Sequence, residues 1–299
     1  MTRRPFDFLL GTLSSVLLAL NTVFWCTPLL SLALLKLLLP LPALRRRLDP
    51  VLNAIAAAWI GCNSAWIDRL QGDRAWTVQV DGALRPGGWY LVNCNHRSWV
   101  DIFVLQKTFN RRIPMLKFFL KQQLIWVPVI GLAWWALDFP FMRRHSEAQL
   151  KKNPALREQD RQTTRRSCER FALVPTSVMN FAEGTRLTPA KHAAQQSPYQ
   201  HLLKPKAGAL ALALNAMGHQ FQALLDVTIV YLDGTPSYWD LACGRMGRVA
   251  LHVQERPIPT HLVDGDYGGD AAFRAEFQAW LGELWTDKDR RIAQMLSAA

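Results

Sequence analysis

The chain has 299 residues, with 35 Lys and Arg against 23 Asp and Glu, a formal net charge of +12. Half of the residues are apolar, which excludes a disordered chain, and the length allows one large α/β domain or two small ones whose core needs no staple. Five cysteines (Cys26, Cys62, Cys94, Cys168 and Cys243), odd in number and without CxxC spacing, imply neither a disulfide framework nor a zinc site and fit reduced thiols in a cytosol-facing protein.

The first element is a Leu-rich run from Phe8 to Leu39, interrupted by Asn21, Pro28 and Lys36. No small-residue cleavage site follows it, so it is expected to stay in the mature protein as a membrane anchor, residues 1–48. One straight helix over the uncharged stretch Phe8 to Leu35 would be about 42 Å long, more than the roughly 30 Å hydrocarbon core, so a break is expected near Pro28. Arg3 and Arg4 precede the run, and Lys36 with Arg45, Arg46 and Arg47 follows it. Positive charge at both ends favours a re-entrant hairpin with both flanks cytoplasmic over a single tilted span.

Residues 49–299 read as one catalytic-size body. Pro50 to Leu70 has helical spacing through Ile55, Trp59, Cys62, Trp66 and Ile67, with its two Trp either in the headgroup layer or in the core. Strands are expected at Trp76 to Val80, Trp89 to Cys94, Leu137 to Phe141, Val178 to Phe181, Ala223 to Tyr231 and Val249 to Val253. Helices are expected at Trp99 to Phe109, Leu156 to Leu173, Gly208 to Met217 and Ala271 to Trp285. Strands alternating with helices indicate an α/β fold, a mixed sheet covered by helices on both faces. Between Lys151 and Arg170 stand seven basic and three acidic residues; Arg157, Arg161 and Arg165 share a helical face suited to anionic headgroups, an anionic acyl carrier or plain solvent.

Two local patterns carry chemistry. After the strand ending at Cys94 come Asn95, His96, Arg97, Ser98, Trp99, Val100 and Asp101. A His on the loop before a helix can fold back on a carboxylate in the first turn, which fixes its tautomer and leaves the other nitrogen basic. Such a pair removes a proton from an alcohol. Phe181, Ala182, Glu183, Gly184, Thr185 and Arg186 then form a turn with a flexible Gly, a hydroxyl and a guanidinium, which suits a phosphate monoester.

Together NHRSWVD and FAEGTR resemble the paired motifs of the glycerolipid acyltransferases, the PlsC or 1-acylglycerol-3-phosphate acyltransferase family. Leu120 to Leu124 with Pro128 and Gly131 resembles the family's KxEL, Pro, Gly stretch, and Phe141 with Arg144 resembles its FxxR motif. The likeness covers roughly Trp76 to Tyr231, and FPFMRR with the Trp-rich composition points to the YihG-like bacterial inner-membrane branch. It implies transfer of a fatty acyl group from acyl-CoA or acyl carrier protein, as co-substrate and without a further cofactor, to a lysophospholipid hydroxyl. The first acceptor would be 1-acyl-glycerol-3-phosphate, with lysophosphatidylglycerol as the alternative. His96 would be the base, Asp101 its orienter, and Lys121, Arg144, Phe181, Glu183, Gly184, Thr185 and Arg186 the substrate-binding residues. The expected location is the bacterial inner membrane, against anionic phospholipid, with the body facing the cytoplasm. Gln123 where the family has Glu, and Thr228 where Pro is common, depart from the pattern.

Competing chemistries have less support. No GxSxG elbow, HExxH or Walker-type loop is present, and the seven His show no metal-ligand spacing. Cys94, two residues before His96, is the alternative nucleophile, though direct attack by the substrate hydroxyl needs none. A non-catalytic basic protein on a membrane or nucleic acid is the reading from another class; no specific nucleic-acid motif supports it.

Overall fold

The computed structural model describes residues 5–39, 41–72, 76–142, 162 and 174–298. Arg144 and the Arg157 to Arg170 cluster lie outside the described residues, as does the helix expected at Leu156 to Leu173.

Strands β1 (Trp76–Asp81), β2 (Tyr90–Cys94), β3 (Leu116–Phe118), β6 (Ser177–Phe181), β7 (Ala223–Tyr231) and β8 (Val249–Arg256) form a six-stranded mixed sheet in the order β1-β8-β7-β2-β6-β3. β2 runs parallel to β6 and β7, whereas β7 and β8 are antiparallel. β4 (Leu120–Lys121) and β5 (Phe141–Met142) form a separate pair. Every residue of β2 and of β7 is buried, as unbroken apolar runs require when both faces of a sheet are covered.

Alternation of side chains splits the core in two. Val92, Cys94, Leu225, Val227 and Ile229 cluster with Val104, Leu105 and Phe109 of α3 (Asp101–Phe109). Leu91, Val178, Leu224 and Val230 cluster with Leu210 and Leu214 of α6 (Gly208–Met217) and with Phe277, Leu281 and Trp285 of α8 (Ala271–Ser297). Three shorter helices, α4 (Ile130–Ala136), α5 (Pro189–Gln195) and α7 (Tyr238–Ala242), also belong to the described residues.

The N-terminal run differs from expectation. α1 (Pro5–Leu38) continues through Pro28 as one helix of 34 residues, about 51 Å long. Proline fixes a φ that helical backbone already adopts and removes one i→i−4 bond, to the Phe24 carbonyl, so a long apolar helix can pass through it. The chain turns instead around Leu39 to Leu41 into α2 (Pro42–Gln71), which returns antiparallel to α1. Asn21 donates to Asn63 at 2.8 Å, Trp59 Nε1 donates to Thr22 at 3.2 Å, and Lys36 pairs with Asp49 at 2.7 Å. Trp59 therefore serves the interface between α1 and α2.

The segment Phe6–Leu38 is long and apolar enough to cross a membrane. Both of its ends are tied to the same body. Asp7 pairs with Arg245 at 2.7 Å, Tyr238 donates to Ser15 at 3.1 Å, and Lys36 also reaches Asp138 at 3.0 Å. Phe6, Phe8, Leu9, Leu13, Leu20 and Phe24 are exposed on its outer side.

The strand expected over Leu137 to Phe141 shrinks to β5. Pro140 lacks an N–H for a ladder, and Leu137 and Phe139 pack into the helical layer with Cys26, Leu29 and Ala133.

Candidate active site

β2 delivers the chain to the site, and Asn95 locks its exit. The Asn95 amide donates to the Ile229 carbonyl and its oxygen accepts from the Ile229 amide, both at 2.9 Å, which binds the end of β2 to β7. His96 follows on the loop, and Asp101 begins α3. The loop folds back as the spacing anticipates, so that His96 Nδ1 lies 2.8 Å from Asp101 Oδ2.

Asp101 is fully buried, and both of its oxygens accept hydrogen bonds. Oδ2 also accepts from the amides of Arg97 (2.6 Å) and Ser98 (3.0 Å), while Oδ1 accepts from the Tyr231 hydroxyl at 2.6 Å. A carboxylate at a helix N-terminus with these donors is fixed in place. Its contact assigns the Nδ1 proton of His96, so Nε2 is the nitrogen left to act as base. The imidazole stacks on Phe181 with ring centres 4.0 Å apart, and Phe181 stacks in turn on Phe118. Phe181 thus backs the imidazole.

The second motif lies against the first. Leu187 N–H donates to the His96 carbonyl at 2.9 Å. Glu183 is buried, and its two oxygens accept from the amides of His96 (2.8 Å) and Leu203 (3.0 Å). Burial pushes its carboxyl up to about 7 against the pull of those two amides, Arg97 and Lys288. Gly184 holds φ +67°, and a Cβ there would come within 3.2 Å of the Lys206 side chain, so glycine is needed. Lys191 Nζ donates to the Thr185 hydroxyl at 2.7 Å and to the Arg186 carbonyl at 3.1 Å. The Arg186 guanidinium lies over the Trp99 ring, 4.6 Å from its centre.

The sequence-derived residues therefore separate by place. His96, Asp101, Phe181, Glu183, Gly184, Thr185 and Arg186 form one constellation. Lys121 is exposed on β4, and its neighbours Leu120 and Leu124, but not Lys121, line the adjoining cavity. Cys94 is buried, and burial raises its thiol well above the ordinary range, so it remains a protonated core residue.

That cavity, about 750 Å³, opens onto His96, Trp99 and Phe181 and is walled by α1 (Leu18, Trp25, Leu29), α2 (Ile55, Ala56, Trp59), α3 (Ile102, Phe103) and α4 (Ala133, Trp134). Its walls are almost wholly apolar. Tyr231, Asn95, Trp99 and Lys191 were not foreseen as site residues. Tyr231 left one trace: a hydroxyl ending a nine-residue buried strand must find a partner.

A family model described as Acyltransferase matches residues 77–232. The chain is 25% identical over 213 residues to human 1-acyl-sn-glycerol-3-phosphate acyltransferase delta, covering 67% of this chain and 51% of that protein. It is 25% identical over 286 residues to lysocardiolipin acyltransferase 1 of Danio rerio, covering 91% of this chain and 66% of that protein. The chain thus spans about half the length of most of the curated relatives it matches. The solved structure of the 1-acyl-sn-glycerophosphate acyltransferase PlsC from Thermotoga maritima shares the fold, with a TM-score of 0.54, 18% identity, and coverage of 97% of this chain and 95% of that one.

Proposed function

The chain belongs to the acyltransferase family, and on that premise we propose that it acylates the free hydroxyl of a lysophospholipid, with 1-acyl-glycerol-3-phosphate as acceptor and phosphatidic acid as product. The observation that carries the reading is His96, held on Asp101 at the mouth of an apolar chamber with Arg186 beside it. His96 Nε2 takes the proton of the acceptor hydroxyl as its oxygen attacks the thioester carbonyl of acyl-CoA or acyl carrier protein. The tetrahedral intermediate then collapses, the C–S bond breaks, and the departing thiolate takes the proton from the imidazolium. Asp101 stabilises that imidazolium, and no acyl-enzyme forms. A positioned base supplies about 10²- to 10⁴-fold of rate, and holding both substrates adds more.

The chamber takes acyl chain. Arg186, the Gly184–Thr185 backbone and Lys191 meet the acceptor phosphate, with Lys121 and Arg144 assigned by family resemblance. Glu183, with both oxygens on backbone amides, serves by fixing the turn and the His96 loop. No cofactor enters this scheme.

Residues 1–48 act as the anchor and 49–299 as the catalytic body, on the cytoplasmic side of a bacterial inner membrane. Two ends of α1 tied to one body support a helix lying in one leaflet with its exposed Phe and Leu side chains in lipid. Another lysophospholipid acceptor, such as lysophosphatidylglycerol, is the second reading, favoured by the likeness to lysocardiolipin acyltransferase 1 over 91% of this chain. Purified protein offered a panel of lysolipids with acyl-CoA or acyl carrier protein, read by mass spectrometry, tests both readings. Phosphatidic acid should be the leading product; no acylated product from any pair would overturn the proposal.

A further inference from the structure

A dyad explains only one oxygen of Asp101. Oδ2 serves the imidazole and two loop amides, but Oδ1 faces away from the loop toward β7, where the Tyr231 hydroxyl donates to it at 2.6 Å. Asp101 is fully buried, so no solvent can substitute for this donor. Tyr231 is the last residue of β7, opposite Val249 of β8, and it packs in the core that holds Val104 and Leu105 of α3. Its position is rigid, because the Asn95 side chain clamps Ile229, two residues earlier, to the end of β2.

We propose that Tyr231 is a positioning residue of the reaction, the third member of a relay Tyr231–Asp101–His96 that sets how strongly Asp101 holds the imidazolium. The proposal rests on His96 acting as the base. Two roles follow from the geometry. The phenol fixes the rotation of the carboxylate about its second oxygen, and it withdraws part of the negative charge that the imidazolium would otherwise feel. Burial, with Asp101 beside it, holds the phenol well above its ordinary range, so it stays the donor across the working pH range.

The charged and titratable neighbours are few. Cys94 of β2 and Arg97 of the loop face Tyr231 together with Asp101. Arg97 spends its guanidinium on the His201 carbonyl at 3.0 Å. Glu183 approaches the backbone of His96, and Lys288 of α8 faces Glu183 and Cys94. Among the described residues, Tyr231 alone touches Oδ1 of Asp101.

The test is kinetic and uses the detergent-solubilised full chain, with acceptor saturating. Tyr231→Phe removes one oxygen and keeps the ring, so the unfolding midpoint reports whether the fold survives. The expected result is a fall in kcat of about tenfold, about 1.4 kcal/mol, with acceptor KM within twofold and the acid limb of the pH profile moved upward as the carboxylate holds the imidazolium proton more tightly. In an Asp101→Asn background the same change should cost no further rate. Replacing Tyr231 with 3,5-difluorotyrosine, a stronger donor of nearly equal size, should move the acid limb downward. Unchanged kcat and pH profile in both Tyr231 variants, or losses that multiply in the double variant, would overturn the relay. Absence of acyl transfer by the unaltered protein would instead strike the functional reading itself.

Discussion

The backbone amide of His96 donates to Oε1 of Glu183 at 2.8 Å, and the other oxygen of that carboxyl accepts from Leu203. Two motifs 87 residues apart are thus joined by a buried carboxyl rather than by substrate. One consequence is thermodynamic. Burial pushes Glu183 up to about 7, so between the ordinary carboxyl range and neutrality the native chain keeps a proton that the unfolded chain has released. The stability contributed by this group is complete below the unfolded value and is lost as pH rises through the folded one.

Glu183→Gln removes that titration. The stability advantage of the unaltered chain over the variant should shrink by about 3 kcal/mol at most as pH rises from 5 to 8. Denaturant unfolding of the full chain in detergent at a series of pH values reads it. Parallel curves would show that the carboxyl does not titrate in this window.

Arg186 lies over Trp99, three residues beyond His96, which places its charge next to the proposed base. Arg186→Gln should raise the acceptor KM about 10- to 100-fold, the worth of a charge-assisted hydrogen bond of about 1.5–3 kcal/mol, with kcat much less affected. Trp99→Leu, which removes the ring under the guanidinium, should cost about two- to fivefold in KM. The same losses with an unphosphorylated monoacylglycerol acceptor would contradict the phosphate assignment.

Ala56 has no exposed surface and lines the apolar chamber from α2. Ala56→Phe should fill part of it and turn the enzyme toward shorter acyl donors. Excluding four methylenes at about 0.8 kcal/mol each predicts roughly 200-fold lower kcat/KM for the long donor. Donor chain-length profiling by mass spectrometry reads the shift, and an unchanged profile would mean that the acyl chain lies elsewhere.

The ion pairs that tie both ends of α1 to one body lead to a topology prediction. In a background carrying Cys62→Ser and Cys168→Ser, cysteines placed by Phe6→Cys and Leu41→Cys should both react with a membrane-impermeant maleimide from the cytoplasmic side of sealed vesicles. Reaction of the two from opposite sides would establish a span.

What the sequence made legible was local. β7 and α6 coincide with the apolar runs Ala223 to Tyr231 and Gly208 to Met217, and the fold-back of His96 on Asp101 follows from a spacing of five residues. What it hid was either masked by a charge or distant in the chain. α8 runs twelve residues past the expected end at Trp285, because its buried face continues through Lys288, whose ammonium is matched by Asp226 at 2.7 Å and by the Val227 carbonyl. α1 continues through Pro28 while its contacts run to α2 and the body, with Asn21 on Asn63 and Lys36 on Asp49 and Asp138, partners that no hydropathy pattern records. Tyr231 stands 130 residues from Asp101, and only the register of β7 against β2 brings them together.

In the proposed scheme His96 removes the acceptor's proton, and the decisive comparison is of the unaltered full chain with His96→Ala for conversion of 1-acyl-glycerol-3-phosphate to phosphatidic acid. Robust conversion by the former and a loss of at least about 10²-fold in the variant are expected, at an unchanged unfolding midpoint. Equal conversion by both proteins would contradict the scheme.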